Sequence, residues 1–295
     1  MMKKSTFFLS VALFCGSMTT VFAQDNEVKV TPAIDKNTGH STFTFKKDYK
    51  YYGFLLDDET KAANLADDQY VYIGADAAAG RNLYIWDGQS SFVKPDGTNS
   101  FGIPGGHLAY KVGGAGWSGL GYNIAKAYPI DLSGIGDDYT FHMAVMSTSN
   151  EPFDFYLTDG AKHEAHIILS DKKAFEKDPV CNFTRNGEWY NIDIPMTYLE
   201  DNFGLSFKKD NKYADKNLLC ILAGGKAGTI LNYDAVFFYG PKVSTGISDV
   251  INENNDAPVE YYSISGKQVN LSYAKAHKGV YLMKQGKKTQ KVIIG

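Results

Sequence analysis

Clusters of turn residues cut the chain from residue 69 to residue 239 into short segments, and this spacing constrains the fold more than any other feature. The clusters are Asp87-Gly88, Pro95-Asp96-Gly97, Pro104-Gly105-Gly106, Asn186-Gly187 and Gly224-Gly225. Long helices do not fit between them. Strands do, and the spacing predicts them at 69–73, 82–86, 107–112, 121–124, 139–146, 153–157, 165–169, 189–194, 218–223 and 230–239. In 139–146, Tyr139, Phe141, Met143 and Val145 take one face, while Thr140, His142 and Ala144 take the other. That alternation is the period of a half-buried strand. The 20 Tyr, 18 Phe and 29 Gly suit β-structure joined by tight turns. The predicted class is all-β: an antiparallel β-sandwich or jelly roll, followed by a small C-terminal β-sandwich tail. Thr42-Phe-Thr-Phe45 alternates like an opening strand. Ala62, Ala63, Leu65 and Ala66 favour a helical turn or two in 59–68, and Pro195 precedes a single turn at 196–200.

The N-terminus has the pattern of an export leader. Lys3 and Lys4 precede an apolar run from Phe7 to Cys15, and Val21-Phe-Ala23 ends it with a small-x-small cleavage pattern. The run is too short to span a bilayer. Cleavage after Ala23 is preferred to acylation at Cys15, because Phe14 stands where a lipid-attachment motif wants a small residue. The expected organisation is a signal peptide at 1–23, a β-jelly-roll binding domain at 24–241, a polar linker at 242–258 and a β-rich tail at 259–295. The formal net charge is −3 and no basic stripe appears, which argues against nucleic acid. Later apolar runs are short, so no membrane span is expected. Cys181 and Cys220 remain after cleavage. In an exported protein they either form a disulfide or stay as buried thiols.

The tail reads Val259-Glu-Tyr-Tyr-Ser-Ile-Ser-Gly-Lys-Gln-Val, then Lys278-Gly-Val-Tyr-Leu-Met-Lys, then Lys291-Val-Ile-Ile-Gly. It resembles the C-terminal sorting domain of type IX secretion substrates in Bacteroidetes. The resemblance implies an outer-membrane secretion machinery as partner and an extracellular or outer cell-surface location. Trp189-Tyr-Asn-Ile-Asp-Ile-Pro-Met-Thr-Tyr-Leu and Leu231-Asn-Tyr-Asp-Ala-Val-Phe-Phe-Tyr resemble galactose-binding-like jelly rolls, which include many carbohydrate-binding modules. That resemblance implies the fold more firmly than any ligand.

Trp117 is the leading ligand-binding candidate, because Gly113, Gly114, Gly116 and Gly119 around it are too small to cover it. It either stacks on the apolar face of a sugar ring or folds back as a plug beneath its loop. Trp86, at a strand-to-loop junction, would stack likewise. Asp87 beside it is a hydroxyl acceptor or a turn former, and Tyr122 is a second hydroxyl partner. Trp189 has outward parity but is expected to pack under a loop. Asp234 lies in an apolar strand and needs a partner. The resemblance implies a structural Ca2+ there, and hydrogen bonds from a neighbouring loop are the alternative. No other cofactor is expected. His163-Glu-Ala-His166 lacks the HExxH spacing, and residues three apart in a strand face opposite ways.

These features together give the reading of a secreted or cell-surface module that binds a polysaccharide without cleaving it. One rival is a glycoside hydrolase or polysaccharide lyase, which needs convergent carboxylates; for hydrolysis they flank a cleft at about 5–10 Å. The other is a structural adhesin with buried loop tryptophans and an exposed apolar patch elsewhere.

Overall fold

The structure is a computed structural model. It describes residues 26–86, 90–113, 118–215, 217–223, 226–242, 259–263, 266–277, 279–285 and 288–294. The expected leader (1–23) and most of the expected linker (243–258) lie outside the described residues. The sandwich runs β1 (Lys29–Pro32), β2 (Tyr49–Leu55), α1 (Asp58–Asn64), β3 (Tyr70–Tyr72), β4 (Arg81–Ile85), β5 (Ser90–Val93), β6 (Leu108–Val112) and β7 (Ser118–Ile124). It continues through β8 (Thr140–Met146), β9 (Phe153–Thr158), β10 (Glu164–Leu169), β11 (Tyr190–Pro195), α2 (Met196–Phe203), β12 (Leu219–Ala223) and β13 (Ile230–Pro241). The tail holds β14 (Val259–Ser263), β15 (Gln268–Val269), α3 (Leu271–Ala276), β16 (Gly279–Gln285) and β17 (Lys288–Ile294).

Two sheets form the sandwich. The larger has the order β1-β11-β8-β13-β2-β3, with β6 also on β13 and β5 on β6. The smaller has the order β10-β9-β12-β7-β4. All pairings between the strands named here are antiparallel except β2 with β3. Strand alternation sends Phe141, Met143, Val145, Ile192, Ile194 and Phe238 of the larger sheet inward. They meet Phe153, Phe155, Leu157, Ile167, Leu120 and Ile221 of the smaller one in one buried cluster. Emptying such a site, as in Phe155→Ala, costs about 3–5 kcal/mol.

The larger sheet is also covered on its outer side. Tyr51, Ala144 and Phe237 form a second cluster there, packed by Phe43 and Phe45 of the segment before β2. Phe43 and Phe45 alternate as predicted, yet no strand forms at 42–45. Their rings lie over the sheet without a backbone ladder, 5.4 Å from Phe237 for Phe43 and 5.4 Å from Tyr51 for Phe45. Double coverage explains why β13 reads as a nearly unbroken apolar run rather than an alternating one. Its register shifts between Asp234 and Phe237, and Ala235 is left-handed at φ 50°. This bulge lets Asp234 and Phe237 share the outer side, a placement strict parity forbids.

In the tail, β15-β14-β16-β17 make one antiparallel sheet, and Ala274 of α3 packs with Tyr281 and Val292. Residues 271–276 of the β-rich tail are helical, because Asn270 caps the turn by accepting from Tyr273 N. Among the described residues, no helix is long and apolar enough to cross a membrane.

Candidate functional site

The outer face of the smaller sheet brings together residues far apart in sequence. Strand register puts Tyr84 opposite Gly121, Gly121 opposite Cys220, Cys220 opposite Tyr156, and Tyr156 opposite His166. These five positions form one rung across all five strands, about 19 Å long at roughly 4.8 Å per strand. The next rung starts at Trp86, whose N–H donates to Gly119 O at 3.0 Å. It continues through Gly119, Leu222 and Asp154.

Gly119 and Gly121 make the floor. A Cβ at 121 would sit 2.7 Å from Tyr84 Oη, and one at 119 would sit 2.8 Å from Trp86 Cε3 and 2.7 Å from Leu222 Cδ2. The two aromatic side chains therefore lie against β7 where no Cβ stands. Their ring centroids are 5.9 Å apart at 45°, and both residues are half-buried. Tyr84 Oη donates to Asn217 Oδ1 at 2.8 Å, which fixes the ring in the plane of the face.

The other end of the face is polar. Tyr156 and His166 pack with ring centroids 4.4 Å apart. Tyr156 Oη donates to Glu164 Oε1 at 2.6 Å, and Asp154 Oδ2 holds His166 Nδ1 at 2.6 Å. His166 Nε2 lies 3.8 Å from Glu164 Oε2, so the imidazole stands between two carboxylates. Asp154 is 0% exposed and its Oδ1 is a buried acceptor with no hydrogen-bond partner, whereas the Glu164 side chain is 57% exposed. Burial, the bond to Glu164 and the nearby carboxylate charge all push the Tyr156 phenol up, so it stays a donor. Burial pushes the Cys220 thiol under this face up to about 12.

The predicted site residues fall out differently. Trp86 lies on this face. Trp117 and Asp87 lie outside the described residues. Tyr122 shares the parity of Leu120 and Ile124, is 3% exposed, and packs edge-on to Phe54 at 5.4 Å. The expectation that Tyr122 meets a ligand is therefore corrected: its hydroxyl is turned into the sandwich. Asp234 is braced by a loop, since one carboxylate oxygen accepts from Ser100 N at 3.1 Å and Ser100 Oγ at 2.5 Å. Neighbouring Asn99 donates to Asp57, whose other oxygen caps α1 through Thr60 N. Asp234 Oδ1 is left without a hydrogen-bond partner, but the bonds on its other oxygen and on Asp57 show the loop, rather than a cation, bracing this carboxylate. Among the described residues no group of three or more His, Cys, Asp and Glu could hold a metal.

Trp189 packs under a loop as expected, donating Nε1–H to Thr98 O at 2.8 Å. Cys181 and Cys220 are free thiols. His163 and His166 bind separate partners, Asp159 and Asp154. Sequence reading missed Tyr84, Tyr156 and His166 as members of one face. The available signal was Asp154, Tyr156 and Thr158 alternating against Phe153, Phe155 and Leu157.

No model of a known protein family matches the chain, and no curated protein matches it. Among solved structures, the CBM22-1–GH10 modules of Clostridium thermocellum endo-1,4-β-D-xylanase 10B, complexed with xylohexaose, align at 17% identity and a TM-score of 0.30. That alignment covers 56% of this chain and 27% of that one. An exo-β-agarase aligns at 12% identity and 0.36, covering 54% and 24%. The family 11 carbohydrate-binding module of the Clostridium thermocellum cellulase Lic26A-Cel5E aligns at 12% identity and 0.30, covering 55% and 88%. The chain thus spans about a quarter of the xylanase and agarase chains. Likeness at this level leaves the ligand to be argued from this chain's own residues.

Proposed function

We propose that the sandwich is a glycan-binding module that holds a polysaccharide on the outer face of its smaller sheet without cleaving it. The observation that carries this reading is the rung of Tyr84, Tyr156 and His166 beside Trp86, laid over a floor of Gly119 and Gly121. Aromatic faces take the C–H faces of sugar rings and exclude water from them. Glu164 supplies acceptors for ring hydroxyls at the polar end, and the buried Tyr156 holds it there through its hydroxyl. Asp154 supports binding without hydrolysis: among the described residues of the face it is the carboxylate beside Glu164, and it is wholly buried and bonded to His166, out of reach of a substrate.

Export and surface display complete the proposal and rest on the leader and tail motifs alone. The test of binding is electrophoretic retardation of the full chain in gels containing plant and host polysaccharides. Retardation by at least one of them, with no reducing sugar released, is expected. Free migration through the whole panel contradicts the reading.

A further inference from the structure

We propose a second, independent ligand site on the opposite sheet, a cleft that takes a short, uncharged, hydroxyl-rich ligand such as a mono- or disaccharide. The cleft lies on the outer side of the larger sheet, where the segment before β2 crosses β1 and β11. It has a volume of about 660 Å³ and adjoins a smaller one of about 260 Å³. The two share Asp193, Tyr239 and Lys46 as lining residues, so Asp193 stands at their junction. The larger volume is in the range that encloses small ligands.

Asp193 is held as a binding group is held. His142, 0% exposed, bonds Asp193 Oδ1 through Nδ1 at 2.8 Å, and Tyr239 Oη donates to the same oxygen at 3.2 Å. Burial and the Asp193 charge both raise the Tyr239 phenol, so it remains protonated and a donor. Phe43 and Phe237 pack against the His142 ring, with centroids 4.5 and 4.8 Å away. Both bonds fall on Oδ1. Among the described residues no hydrogen bond falls on Oδ2, it is not a buried unpartnered atom, and the side chain is 24% exposed. A carboxylate pinned by one oxygen from beneath, with the other turned to a cleft, is a pre-organised acceptor.

The walls choose the ligand class. Asp35 and Asp193 stand against Lys36 and Lys46 around the cleft, so its formal charges balance, and Lys46, which also lines the smaller part, opposes a cation that Asp193 would draw. Its Nζ donates to Tyr49 Oη at 3.1 Å and keeps further N–H groups for a ligand. Asp193 opposes an anion in the same way. A neutral polyol satisfies both, giving hydroxyl hydrogens to Asp193 and taking one from Lys46, with the Phe43 and Tyr239 rings beside its C–H groups. Thr44 stands exposed at the mouth.

The test is calorimetric titration of the full chain with a panel of neutral mono- and disaccharides. Three variants are compared with the parent: Asp193→Asn, Thr44→Trp and the double change Tyr84→Ala/Trp86→Ala. At least one sugar is expected to bind the parent. Its affinity is expected to fall tenfold or more in Asp193→Asn and in Thr44→Trp, while the double variant, which removes the aromatic platform of the other face, reads how much of the titrated binding belongs to that face. Thr44→Trp closes the mouth from an exposed position, so it answers the question even where Asp193→Asn disturbs buried His142 and half-buried Tyr239. The proposal is overturned if no sugar in the panel binds, if both cleft variants bind like the parent, or if the double variant alone abolishes binding. Polysaccharide retardation is read on the same variants, so failure of this cleft and failure of the smaller-sheet face give different patterns.

Discussion

Asp234 sits 0% exposed on the covered side of β13. Burial pushes its carboxyl up to about 6, against the two Ser100 bonds that pull it down, and its Oδ1 has no partner. The sign follows from linkage. An acid whose folded pKa is above its unfolded value of 3.8 holds its proton more tightly in the fold. Its contribution is whole below the unfolded pKa and is lost as pH rises through about 6. The loss is about 3 kcal/mol by pH 7. Asp234→Asn keeps an acceptor for Ser100 and removes the titration. Stability measured by urea unfolding at pH 4 and pH 7 should fall with rising pH less steeply in the variant than in the parent. Equal slopes would show that Asp234 is not the group responsible. The sequence showed that Asp234 needs a partner, but Ser100 lies 134 residues away, and only the packing of the 98–106 loop could identify it.

At the scale of elements, β7 presents two surfaces. Leu120, Tyr122 and Ile124 anchor it in the core, and Gly119 and Gly121 leave room above it for the rings of β4. Adding a methyl at 121 meets Tyr84 Oη at 2.7 Å and Cζ at 2.8 Å, the far end of a side chain that can swing away. Gly121→Ala should therefore change stability by only about 1 kcal/mol while weakening polysaccharide retention, because the ring no longer lies on the strand. Chemical denaturation and gel retardation of the same variant check both halves. Unchanged retention would mean that the Tyr84 ring is not part of the binding surface.

Most strands were legible because they alternate between turn clusters. β5 was not, since Ser90–Val93 carries no apolar alternation and takes its place by pairing with β6. The proposed face was legible only at Trp86. Tyr84, Tyr156 and His166 become neighbours through register, which depends on how five strands align. Tyr122 was misplaced because a tyrosine next to glycines looks exposed until strand parity is counted from Leu120.

For the whole molecule, the buried cluster of the sandwich draws on no residue of the tail among the described residues, and Ala274, Tyr281 and Val292 form their own small core. Deleting 259–295 should leave the sandwich melting transition and its polysaccharide retention in place, and should hold the protein in the periplasm of its host. Unimpaired surface display after the deletion would refute the sorting role. Loss of the folded sandwich would refute the domain boundary.

The central claim is that sugar rings rest on the outer face of the smaller sheet. Its most direct measurement is the retardation of Tyr84→Ala/Trp86→Ala in the polysaccharide that retards the parent most. Both side chains are half-buried on an outer face, so the fold should survive their loss, as judged by a retained cooperative melt. The account predicts a folded variant that migrates as if the polysaccharide were absent; a folded variant retarded as strongly as the parent would contradict it.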